Sequence, residues 1–223
     1  MYIGHYAMAF AAKKAAPETS LGTLIAASQL IDLIWPVLVL LGLERVAVDP
    51  GNTAFTSLDF QHYPITHSLF MVTMWASLFA GIYWIFTRYK AGAVTIWLLV
   101  ASHWVLDAIT HRPDLPLYPG GGTRIGFGLW NSVPATLFFE VTIFIASLII
   151  YLSASSSRDV VGTYATWALV IFLFGTYLAN LLGPVPPDGK VVALSAMLLW
   201  LLIPLGYWSD RHRITGEATG TGA

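Results

Sequence analysis

The chain of 223 residues is 57% hydrophobic and 10% charged, with a mean hydropathy of +0.69, whereas soluble globular domains carry about 25% charged residues. So few charges cannot cover a water-facing surface, which excludes a soluble domain. The formal net charge of −1 gives no case for nucleic acid or a strongly anionic partner, and the absence of cysteine removes disulfides, thiolate metal sites and a cysteine nucleophile.

What remains is an all-α, polytopic membrane bundle, with nine tryptophans and ten tyrosines available as interfacial anchors. The opening stretch MYIGHYAMAFAAKKAAPETS has no basic run ahead of its apolar part, so it reads as mature protein rather than as a signal peptide. Its first 16 residues are helix-like but too short to span, and predict a half-helix that leaves the membrane at Lys13-Lys14. Pro17 to Ser20 then turn the chain, with Ser20 as N-cap. Six spans follow, at roughly 21–43, 67–87, 91–110, 133–153, 161–182 and 190–208, each near the ~20 apolar residues that a bilayer requires. This describes one membrane-embedded domain over 1–213, its polar groups within 1–153 and two purely apolar spans within 154–210, followed by a disordered tail over 214–223.

Loop cations set the expected orientation. One face carries Lys13, Lys14, Arg88, Lys90, Arg158, Arg211 and Arg213, and the other carries Arg45, Arg112, Arg124 and Lys190. The richer face, with both termini, is expected in the cytoplasm. The two long loops, 44–66 and 111–132, lie on the opposite face. The second holds Gly120-Gly121-Gly122 and Arg124, which suit an anionic head group.

Ionisable residues inside a span are functional candidates by default, and here they all fall in the first 140 residues. Asp32 lies mid-span in AASQLIDLIWP and needs a metal, a histidine or a cation as partner. His67 opens the second span after Pro64, with Asp59 and His62 upstream as weaker candidates. In ASHWVLDAITHRP, His103, Asp107 and His111 recur every four residues and share one helix face. Glu140 sits a turn or two into the fourth span as a metal ligand, a carboxylate behind the ligands or a general base. His5 lies nine residues before Lys14, about 13 Å deep at 1.5 Å per residue. The depths of His5, Asp32, His103 and Glu140 converge on the middle and outer half of the bundle. Imidazole and carboxylate without thiolate suit a catalytic zinc or related divalent ion with positions open to water. Arg112 and Arg124 are placed to hold a phosphate or carboxylate.

These motifs resemble the YdjM-like family of bacterial and archaeal inner-membrane proteins, described as metal-dependent hydrolases. The matching elements are His5 with Ala9-Phe10, the LIDLIWP segment around Asp32, Thr66-His67-Ser68, and SHWVLD with His103 and Asp107. The resemblance implies a multi-pass membrane domain with a polar His/Asp core and hydrolase activity. The pattern is also loosely similar to zinc-dependent phospholipase C. On that analogy His5, Asp32, His67, His103, Asp107, His111 and Glu140 form the ligand set. The chain departs from the family in having Gln29-Leu30-Ile31 where a Pro-Asp-x-Asp pair is common, and Tyr63-Pro64-Ile65 where His-Arg is common. It therefore has one carboxylate fewer for a multinuclear site.

The reading that follows is a hydrolase acting within the membrane on a lipid or lipid-linked, possibly phosphoester, substrate. In it His5, Asp32, His67, His103, Asp107 and His111 hold the metal, Glu140 is the base and Arg124 the anion clamp. A proton- or ion-coupled transporter and a non-catalytic scaffold are the competing readings.

Overall fold

The computed structural model describes residues 1–215. Chain order is a half-helix α1 (Ile3–Ala15), a bent pair α2 (Leu21–Ser28) and α3 (Leu30–Leu40), a hairpin β1 (Arg45–Val48) and β2 (Leu58–His62), and a short α4 (Pro64–His67). Then come α5 (Leu69–Thr87), α6 (Lys90–Thr110), strands β3 (Leu115–Pro116) and β4 (Arg124–Ile125), and α7 (Val133–Ala154). Strand β5 (Ser155–Ser157), α8 (Val160–Leu182), α9 (Gly189–Ala196), a 3-10 turn Met197–Leu201, α10 (Leu202–Arg211) and β6 (Arg213–Thr215) complete the chain. Five helical stretches are long and apolar enough to cross a membrane, and the bent α2–α3 pair makes a sixth.

Hydroxyl and carboxylate caps start half of the ten α-helices among the described residues. Ser20, Ser68, Ser132, Asp159 and Asp188 each accept from a backbone N–H in the first turn that follows. Half of the apolar window of α6 is buried, against 17% for α5, so α6 is a central helix and α5 a lipid-facing one. Outward positions such as Phe86 and Phe138 are more than three-quarters exposed, as lipid-facing side chains are.

The first span departs from its expected continuous course. It breaks at Gln29, and the two halves meet at 55°. In an unbroken helix the Ser28 carbonyl would accept from the amide of Asp32; here it accepts from His103 Nδ1 at 2.8 Å. Lys13 also departs from its expected place at the water boundary. It is buried, and its Nζ reaches Asp210 at 2.8 Å and the Thr19 carbonyl at 2.9 Å. It thereby ties α1 to α10.

Helix α10 packs on α2 where two glycines meet. A Cβ on Gly206 would stand 2.9 Å from the Cα of Gly22, so the crossing closes only because both side chains are absent. The two long loops, 44–66 and 111–132, carry the two hairpins, β1–β2 and β3–β4. Residues 214–215, expected in a disordered tail, belong to β6 and pair with Ser155–Ser156. The rest of that expected tail, 216–223, lies outside the described residues.

Candidate metal centre

Asp107 is the hub of the site. One turn from the end of α6, it is 2% exposed, and four histidine Nε2 atoms surround its carboxylate. His5 from α1 lies 3.1 Å from Oδ1, His103 lies 3.2 Å from Oδ2, His67 lies 3.8 Å from Oδ2, and His111 lies 3.9 Å from Oδ1. Asp32 from α3 stands on the other side, with Oδ1 at 3.5 Å from His67 Nε2 and 3.6 Å from His103 Nε2. The i, i+4 spacing of His103 and Asp107 places them on one face of α6, and the remaining ligands come from α1, α3, α4 and the end of α6. The Met1 nitrogen lies 2.6 Å from Asp107 Oδ1.

Three of the four imidazoles are held by their second nitrogen, while His5 Nδ1 is buried without a hydrogen-bond partner among the described residues. His103 Nδ1 is held by the Ser28 carbonyl at 2.8 Å, His67 Nδ1 by Thr66 Oγ1 at 2.7 Å, and His111 Nδ1 by Asp114 Oδ1 at 3.0 Å. An N–H on Nδ1 in each case leaves the Nε2 lone pair facing the carboxylates, the tautomer that ligates a metal. His103 Nε2 is buried and makes no well-directed hydrogen bond despite lying 3.2 Å from Asp107. The rings of His5 and His103 stack at 3.7 Å and 5°.

Two overlapping groups, His5–His103–Asp107 and Asp32–His67–His103, each bring their ligand atoms within 4.8 Å of one another. Ligands at about 2.0–2.1 Å from a tetrahedral zinc stand about 3.3–3.4 Å apart, and the separations around Asp107 and Asp32 bracket that value. The donor set therefore fits a divalent metal that favours nitrogen and oxygen. Asp32 has a side chain 26% exposed and forms the open side of the group.

Two of the expected site residues lie apart from this cluster. Glu140 is fully buried, but its Oε2 accepts from the backbone amides of Tyr2 at 3.0 Å and Gly4 at 3.2 Å. It satisfies free N–H groups at the start of α1, where a carboxylate is favoured. Arg124 lies in β4 opposite Pro116, exposed on the outer loops. Of the weaker candidates, Asp59 pairs with Arg112, and His62 is exposed at the end of β2.

Glu44 escaped the sequence reading. It is 1% exposed; Oε1 accepts from the amides of Ile65 at 2.8 Å and Thr66 at 2.9 Å, and Oε2 accepts from Thr66 Oγ1 at 2.7 Å. It thus stands behind His67 in a Glu–Thr–His relay. The signal that could have found it is the Pro64-Ile65-Thr66 helix start, whose free amides need an acceptor. Asp114, also missed, takes Tyr63 Oη at 2.7 Å besides His111. Burial, and then the Asp114 carboxylate, push the Tyr63 phenol well above its ordinary value, so it stays a donor.

No curated protein and no solved structure matches the chain. A family model described as YdjM inner membrane protein matches residues 1–183, which takes in every residue of the cluster. The chain belongs to the YdjM inner membrane protein family.

Proposed function

We propose that this membrane protein is a metal-dependent hydrolase that acts at bilayer depth on a lipid or lipid-linked phosphoester. The observation that carries the reading is the convergence of four imidazole Nε2 atoms on Asp107 within 3.1–3.9 Å, inside a membrane bundle. His5, Asp32, His67, His103 and Asp107 would hold a divalent ion, zinc by its donor set, with His111 completing the group on the loop side. Such an ion supplies Lewis-acid polarisation and makes water acidic enough to be a nucleophile near neutral pH. The chain's own contribution is orientation. Ser28, Thr66 with Glu44, and Asp114 fix three imidazoles before substrate arrives, so little reorganisation is left for the reaction. Asp32, the partly exposed carboxylate, would hold the ion through one oxygen and accept a proton from water on the other, a task that Glu140 is less free to perform because its Oε2 is engaged by α1. Arg124 on the outer loops would clamp an anionic group of the substrate. The face with Lys13, Lys14, Arg88 and Lys90 would be cytoplasmic, with both termini.

Metal content of the purified protein tests this directly. The wild type should retain zinc or a related ion through purification, and the His103→Ala, Asp107→Ala double variant should lose it. Equal, negligible metal in both overturns the reading. The α2–α3 break beside Asp32 favours a second reading, an ion-coupled carrier, because half-helices that end inside the bilayer are common at transport sites. Substrate-dependent flux in liposomes that Asp32→Asn abolishes, without hydrolysis, would select it.

A further inference from the structure

A cavity of about 220 Å³ opens among the outer loops, between the β2–α4 turn and the 116–124 loop. Its lining includes His62, Tyr63, Asp114, Tyr118, Gly121 and Arg124. It is smaller than the ~300–1,000 Å³ of sites that enclose a whole organic ligand, so it suits one small group. Its wall is shared with the metal centre. Tyr63 donates to Asp114 Oδ1 at 2.7 Å, the same oxygen receives His111 Nδ1 at 3.0 Å, and His111 Nε2 faces Asp107.

The charge of the cavity decides what enters it. Its carboxylate, Asp114, is engaged by Tyr63, His111 and Arg112. Among the described residues, the Arg124 guanidinium and the His62 ring form no ion pair and no side-chain hydrogen bond. Beside the uncommitted Gln61 carbonyl and Tyr118 hydroxyl, the cavity therefore presents one free permanent cation, Arg124, with the planar fork that matches phosphate oxygens. Gly121 and Gly122, at φ of +94° and +95°, keep the loop beside Arg124 free of side chains. The cavity lies at the start of α4 and among the loop residues that follow α6, a helix long and apolar enough to cross a membrane, and lipid head groups flank the ends of such helices.

We propose that this cavity binds a phosphate group through Arg124 and His62 and holds it beside the metal centre. The group is either the head-group phosphate of a lipid or free phosphate. Its role as part of the substrate rests on the hydrolase reading; the binding itself does not.

The test uses the full chain in detergent. Inorganic phosphate is titrated by calorimetry, and phosphatidic acid and phosphatidylcholine adducts are counted by native mass spectrometry. The wild type should bind phosphatidic acid, inorganic phosphate or both in preference to phosphatidylcholine. Arg124→Gln should weaken that binding about tenfold or more, the scale of a charge-assisted pair, and Arg124→Gln with His62→Gln should abolish it. Lys90→Gln, on the opposite face, should behave as wild type. Preference for phosphatidic acid identifies the lipid source, and binding of inorganic phosphate alone identifies the soluble one. Absence of both, or full binding by the double variant, overturns the proposal. Metal content measured on the same samples separates this result from the fate of the hydrolase reading.

Discussion

Residues 1–153 and the last two spans are alike in apolar content and unlike in how their helices run. In the first region α1 stops half-way, α2 and α3 meet at 55°, and α4 ends after one turn. In the second, α8 runs unbroken for 23 residues, and α9, the 3-10 turn and α10 follow without a gap. A bilayer tolerates an interrupted helix only where the freed backbone groups find protein partners. Here those partners are the site and its supports. Ser28 gives its carbonyl to His103, Ile65 and Thr66 give amides to Glu44, and Tyr2 and Gly4 give amides to Glu140. The lesson is that broken helices and the buried polar cluster are one construction: each resolves the other's unsatisfied groups.

The sharpest way to break this contrast is at the strut between the regions. Lys13→Met leaves Asp210 without its partner, and it should cost about 3 kcal/mol, the low end for breaking a buried pair because Asp210 is 15% exposed. Denaturant unfolding in detergent checks it, and Lys13→Met with Asp210→Leu should recover most of the loss. If Lys13→Met is as stable as wild type, this ion pair does not tie the two regions together. Next in size, Glu44→Gln should lower metal affinity about 10–100-fold, the range for residues standing behind a ligand, and Thr66→Val should do the same. Unchanged zinc affinity in both would detach the α4 start from the site.

The smallest effect belongs to the second region alone. Asp159 accepts from Gly162 N at 2.9 Å and lies 2.8 Å from His212 Nδ1. The His212 hydrogen bond, then that from Gly162, holds its carboxyl below the ordinary value. A carboxyl depressed in the folded state adds stability above its unfolded value near pH 4, and loses it as pH falls through the folded value. Asp159→Asn should therefore lower the neutral plateau of a thermal-stability profile slightly and converge with wild type in acid, where the carboxyl is protonated. A large loss at neutral pH would show that this exposed pair carries more than an end cap.

Much of this was legible in the residues. Apolar runs of membrane length located α5 to α8 and the last span, because lipid demands uninterrupted apolar surface. The spacing of His103 and Asp107 placed both on one helix face, and the converging depths of His5, Asp32 and His103 anticipated their meeting. The break at Gln29 was not legible, since AASQLIDLIWP is apolar enough to continue as a helix, and the partner of the carbonyl freed there, His103, lies 75 positions away in the chain. Lys13 and Glu44 were misplaced or missed for a shared reason: a charge next to a span end looks solvated until its distant partner, Asp210 or Thr66, is known. The role of Glu140 was not legible, because its partners on α1 lie 136 and 138 positions away in the chain.

The partial exposure of Asp32 has a kinetic consequence. The other five residues of the cluster are at most 3% exposed, so an ion held there, as proposed, would exchange with the surroundings past a single carboxylate on α3. Traffic through one doorway is slow compared with an open cleft, and the bulk of whatever stands at position 32 sets its pace. A chelator offered from bulk water would then strip the protein over a time governed by that aperture rather than by its own strength.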